Sequence, residues 1–127
     1  MHNVLVVATG GAVGAVARYG LSAWAAKRWG ASFPAVGTLL VNVLGCFVLG
    51  ALLAVVAQRP EFSPRVRLAI GTGLLGSFTT FSTFGFETFE LAREGLWSTA
   101  LWNVGLNLIL GLGAVYVGQA LARHWVS

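Results

Sequence analysis

Four stretches of mostly apolar residues, each long enough to cross a bilayer, dominate this chain of 127 residues. A hydrocarbon core about 30 Å thick takes roughly 20 such residues per helix. The stretches fall at about 3–25, 35–57, 66–93 and 97–122. Between them lie short punctuated connections: Lys27-Arg28-Trp29-Gly30 up to Pro34, Gln58-Arg59-Pro60-Glu61 with Pro64, and Glu90 to Gly95. The expectation is an all-α membrane protein, one domain over 1–127 with four transmembrane helices. The first stretch lacks a basic leader region and is interrupted by Arg18-Tyr19, so it reads as a retained span, not a cleaved signal. Trp24, Trp29, Trp97, Trp102 and Trp125 fall near the expected helix ends, where an indole prefers the headgroup level.

Composition narrows the function classes. With 57% apolar and 9% charged residues, the chain lies outside the range of soluble domains. Its net charge is only +4 and the basic residues are scattered singly, so no phosphate-tracking groove for nucleic acid can be assembled. The single cysteine, Cys46, builds neither a disulfide nor a zinc site within one chain and reads as a small packing residue.

Charge asymmetry sets orientation in the membrane. Four spans put Arg59, Arg65, Arg67 and Arg123 on one side, against Lys27, Arg28 and Arg93 on the other. Four against three is almost no bias. Either one charge or a partner decides the orientation, or the chain inserts both ways round, which permits an antiparallel dual-topology homodimer. Four helices are also few for enclosing a polar pathway.

Polar side chains inside spans are costly and mark functional hypotheses. Here they are Arg18, Asn42, the hydroxyls from Ser77 to Thr83, Asn103, Asn107 and Tyr116. Gly10, Gly14 and Arg18 recur every fourth residue, so the glycines let a neighbouring backbone approach. Two readings of Arg18 are open: snorkelling to the interface, or a buried guanidinium bonded to carbonyls at another helix end. Asn42 alone reads as an interhelical hydrogen bond. Asn103 and Asn107, one turn apart, make an amide track whose N–H groups also suit a passing anion.

The third stretch has Gly71, Gly73 and Gly76 ahead of Ser-Phe-Thr-Thr-Phe-Ser-Thr-Phe, residues 77–84. Glycines weaken helix continuity and the hydroxyls can bond freed backbone groups, so a broken helix is expected there. Its exposed carbonyls are hard oxygen ligands for an alkali cation. Phe78, Phe81 and Phe84 recur every third residue; such a stripe serves lipid contact, core packing or a pore wall.

Three motifs then coincide in order. They are Gly11-Ala-Val-Gly14-Ala-Val-Ala-Arg18-Tyr19; Gly37-Thr38-Leu-Leu-Val-Asn42-Val-Leu-Gly45-Cys-Phe47-Val-Leu-Gly50; and Gly73-Leu-Leu-Gly76-Ser-Phe-Thr79-Thr-Phe81-Ser-Thr-Phe84. Together they resemble the Fluc (CrcB) family of fluoride channels. That resemblance implies an antiparallel dual-topology homodimer in the bacterial inner membrane, with two fluoride pores and a structural sodium ion at the centre of the interface. It implies that backbone carbonyls of Gly76 and Thr79 hold the sodium in the third-helix break. Phe81 and Phe84 resemble the aromatic pore lining, Asn42 the pore-facing amide and Arg18 the first-helix arginine. Ser82 and Thr83, in the same motif, line the pathway or stabilise the break. Asn103 and Asn107 depart from the pattern, standing where many members carry Tyr and Ser.

The expected activity is passive fluoride export that limits toxicity, with sodium as a static ligand. A small dual-topology cation or drug antiporter has the same four short spans, but proton coupling wants an intramembrane carboxylate. The chain has no Asp, and Glu61, Glu87, Glu90 and Glu94 are read as lying in or next to loops. A non-transporting scaffold subunit leaves the amides and hydroxyls unexplained. An enzyme is not expected, since His2 and His124 are terminal and no nucleophile has a nearby base.

Overall fold

A computed structural model describes Met1–Ser127 as an all-helical chain. Three long helices, α1 (His2–Trp29), α2 (Val36–Gln58) and α6 (Trp97–Val126), are each long and apolar enough to cross a membrane. Even the 23 residues of α2 extend roughly 35 Å at 1.5 Å per residue.

The remaining apolar stretch is divided into α3 (Pro64–Arg67), a π-helix (Leu68–Leu75), α4 (Gly76–Phe78) and α5 (Phe81–Arg93). Ser63 caps the start, its hydroxyl oxygen accepting the Val66 N–H at 3.3 Å, and Pro64 occupies the first turn, where its missing N–H costs nothing. The π-helix runs for eight residues, long for a form that usually appears as a single turn. It ends with the Gly76 N–H donating to the Gly71 carbonyl. After Phe78 the backbone opens. Thr79 (φ −83°, ψ 157°) and Thr80 (φ −149°, ψ 117°) are extended, and helix resumes at Phe81. The Thr80 hydroxyl restarts it by accepting the Thr83 N–H at 3.2 Å, the usual work of a threonine at an N-cap.

Glycines decide which helices touch. A methyl added at Gly14 would overlap the Leu74 carbonyl, and one at Gly10 the Ala69 carbonyl. The smooth face expected on α1 therefore lies against the π-helix at backbone contact. The broadest packing joins α2 to α6, where Gly50 meets the Val115 carbonyl and Gly118 the Phe47 carbonyl. Only 19 of 127 residues are buried, so the fold rests on thin helix-to-helix seams. Val13, Val16, Phe86, Leu108, Ile109 and Leu112 stay exposed, a surface that requires apolar surroundings.

Candidate functional site

Extended backbone at Thr80 leaves a peptide N–H and C=O without helical partners, and an unpaired group of this kind in apolar surroundings costs about 1–3 kcal/mol. Asn42 of α2 supplies both. Its Oδ1 accepts the Thr80 N–H at 2.8 Å, and its Nδ2 donates to the Thr80 carbonyl at 3.1 Å. A primary amide presents a donor and an acceptor side by side, as a peptide does, which makes asparagine the matching residue. One turn on, Gly45 leaves room for the Thr79 methyl; a Cβ there would overlap it and lie 3.2 Å from the Phe78 ring.

The same amide reaches α6. Asn42 Nδ2 also donates to Asn107 Oδ1 at 3.1 Å, and Asn107 Nδ2 donates to the Asn103 carbonyl at 2.8 Å and to Asn103 Oδ1 at 3.1 Å. Asn103 Nδ2 donates to the Thr88 hydroxyl at 2.9 Å, which donates to the Phe84 carbonyl at 2.7 Å. Three helices are tied together through side chains of one polarity.

Two openings flank Thr80, which lines both. One, of about 260 Å³, is walled by Asn42, Thr79, Phe81, Phe84 and Asn107. The Phe81 and Phe84 rings lie 5.6 Å apart at 50°, and Phe81 is 83% exposed, so nothing in the chain covers it. The other, of about 290 Å³, holds Arg18, Tyr19, Ser22, Thr38 and Thr83. Arg18 makes no hydrogen bond to a helix-end carbonyl, unlike the second reading of it above. Thr83 Oγ1 accepts from the Thr80 hydroxyl at 3.0 Å, while Ser82 is exposed with its Oγ 3.4 Å from Thr80 Oγ1. Asn103 is fully buried and reaches neither opening.

Gly76 and Thr79 share a different property. In an uninterrupted helix their carbonyls would accept the N–H groups of Thr80 and Thr83. Those donors go instead to Asn42 Oδ1 and Thr80 Oγ1. Gly76 is also exposed, so two carbonyl oxygens are left without their usual helical donors beside an open face.

Glu87 corrects the reading that every glutamate lies in or next to a loop. It sits within α5 and accepts a hydrogen bond from the Thr38 hydroxyl at 2.9 Å through Oε1, while Oε2 is buried without a partner. The expected span ended at the same residue as α5, so what the sequence did not show is that the helix turns Glu87 toward Thr38 of α2. Sequence reasoning includes Thr80 only within the hydroxyl run from Ser77 to Thr83, without singling it out as the cap, holds Thr38 only within a motif, and gives Thr88 no role. Thr80 had a legible signal, a hydroxyl three residues ahead of Thr83 before an apolar run; the other two are defined only by their partners on distant helices.

The family model for CrcB-like proteins, Camphor Resistance (CrcB), matches residues 5–119. A Roseiflexus sp. (strain RS-1) protein named "Fluoride-specific ion channel FluC" is 49% identical over 95% of this chain and 97% of its own length. Proteins of the same name from Shewanella frigidimarina and Chloroflexus aurantiacus are 54% and 46% identical, covering 95% and 97% of the chain and 96% and 97% of their own lengths. A multi-pass membrane chain matched almost end to end in this way belongs to the CrcB family.

Proposed function

We propose that this chain is a fluoride-selective channel that lets fluoride leave the cell passively and so limits its toxicity. The observation that carries the reading is near full-length identity of about half to relatives named as fluoride-specific channels. Fluoride is small and tightly hydrated, so a channel must replace lost water contacts without holding the ion too firmly to release it. In this reading the path follows the opening beside the break in the third transmembrane segment. Asn42, Phe81 and Phe84 wall it, Ser82 and Thr83 stabilise the break around Thr80, and Asn103 and Asn107 belong to its amide track. Ring edges carry the positive part of the aromatic quadrupole, which suits a compact anion. Arg18 places positive charge at the neighbouring opening. No covalent chemistry is involved.

The working unit in this proposal is an antiparallel dual-topology homodimer in the bacterial inner membrane, with lipid around it. The even charge balance supports it, as do the uncovered Phe81 ring and the exposed Gly76. A sodium ion fits the carbonyls of Gly76 and Thr79, since both are hard oxygen donors without their usual helical donors. Bound there, it would supply a static positive charge that pins two broken segments together.

A small cation antiporter is the second reading, favoured by one observation: Glu87 is a half-buried carboxylate on α5. Expression in a bacterium lacking its own fluoride exporter separates the two. Restored growth in fluoride supports the channel; resistance to cationic drugs without fluoride tolerance supports the antiporter and overturns the proposal.

A further inference from the structure

The hydrogen bonds around Asn42 account for all of its donors. A primary amide has two N–H groups, and those of Asn42 go to the Thr80 carbonyl and to Asn107 Oδ1, both at 3.1 Å. Asn107 spends its own two on the carbonyl and Oδ1 of Asn103. In this arrangement neither amide has an N–H left for an anion.

The polarity of the chain is fixed from both ends. The Asn103 backbone carbonyl can only accept, so it turns Asn107 Nδ2 toward itself and leaves Asn107 Oδ1 facing Asn42. At the other end, the Thr80 N–H can only donate and the Thr80 carbonyl only accept, so Asn42 must present Oδ1 to one and Nδ2 to the other. The two ends demand the same orientation. Flipping either amide sets like groups against each other, a conflict that the network itself resolves. Beyond Asn107, the buried Asn103 is anchored by Thr88 on α5, whose hydroxyl holds the Phe84 carbonyl. Phe84 lines the opening, so the relay starts and finishes on the same segment, at Thr80 and at Phe84.

We propose that Asn103, Asn107 and Thr88 are positioning residues: they hold Asn42 in the orientation that sets the extended backbone at Thr80, and act on permeation through Asn42 without touching the ion. This rests on the reading of the Asn42 opening as the fluoride path. It reassigns Asn103 and Asn107 from ion contact to support and adds Thr88, which lines neither opening.

The test is a double-mutant cycle on the full chain in liposomes and in detergent. Asn107→Leu removes the acceptor for Asn42 and should slow fluoride efflux about three- to tenfold, the range expected for one interhelical hydrogen bond. In an Asn42→Ala background the same change should cost less than in the wild type, in efflux rate and in thermal midpoint, and what remains is the loss of the bonds from Asn107 to Asn103. Thr88→Val should slow efflux severalfold and Thr88→Ser should restore it, since the hydroxyl is what the relay uses. Multiplicative losses in the cycle, or wild-type efflux from Thr88→Val, overturn the relay. The thermal cycle reads the coupling without ion flow: additive midpoint shifts overturn the relay even if the wild-type protein moves no fluoride, and that second result alone would overturn the channel reading.

Discussion

Changing Asn42 to aspartate preserves the shape of the side chain and reverses half of its hydrogen-bonding character. One carboxylate oxygen can still accept the Thr80 N–H, as Oδ1 does at 2.8 Å. The other replaces the Nδ2 that donates to the Thr80 carbonyl and to Asn107 Oδ1, both at 3.1 Å. Two attractive contacts become oxygen against oxygen. Interhelical hydrogen bonds in a bilayer contribute about 0.6–1.7 kcal/mol each, so the lost bonds alone amount to roughly 1–3 kcal/mol. A charge placed in partly buried surroundings without a cationic partner adds several kcal/mol more. At 1.36 kcal/mol per decade, fluoride flux should fall by on the order of a hundredfold or more at neutral pH. Fluoride efflux from liposomes measures this, with size-exclusion chromatography to confirm assembly. An assembled Asn42→Asp variant with wild-type flux refutes the reasoning.

Gly45→Ala places a methyl on the Thr79 side chain, which cannot swing away without giving up its 3.1 Å bond to the Leu75 carbonyl; overpacking of about 1–3 kcal/mol should lower both the thermal midpoint and the flux. Gly14→Ala meets the Leu74 carbonyl, which is backbone and yields less readily, so its thermal midpoint should fall at least as far as that of Gly45→Ala. Replacing sodium by a bulky organic cation should lower the thermal midpoint in detergent and slow fluoride efflux, whereas indifference to sodium removes the ion from Gly76 and Thr79. Phe81→Ala should leave helix content and expression intact, since nothing in the chain covers the ring, yet slow fluoride efflux; unchanged efflux takes Phe81 off the path.

The all-helical membrane class was legible because bilayer thickness imposes a length that the apolar stretches display. Close approach at Gly10 and Gly14 was legible too, since their fourfold spacing puts two missing side chains on one face. The partner of Asn42 was not. Its pairing with Thr80 spans 38 residues and its bond to Asn107 spans 65, and neither is implied by the neighbours of Asn42 along the chain. Spacing put Asn103 and Asn107 on one face but could not say that Asn103 turns wholly inward. The π-helix at Leu68–Leu75 had no separate signal, because glycines that weaken an α-helix do not specify what replaces it. Glu87 was misplaced for a related reason. Distance to the next loop was counted along the sequence, while burial depends on which face α5 turns to Thr38.

The most direct measurement is anion efflux from liposomes containing the purified protein, fluoride in one sample and chloride in another, with sodium on both sides. Fluoride should leave in a fast protein-dependent phase while chloride stays at the rate of protein-free vesicles. Equal efflux of the two anions, or no fluoride efflux from correctly assembled protein, contradicts the account.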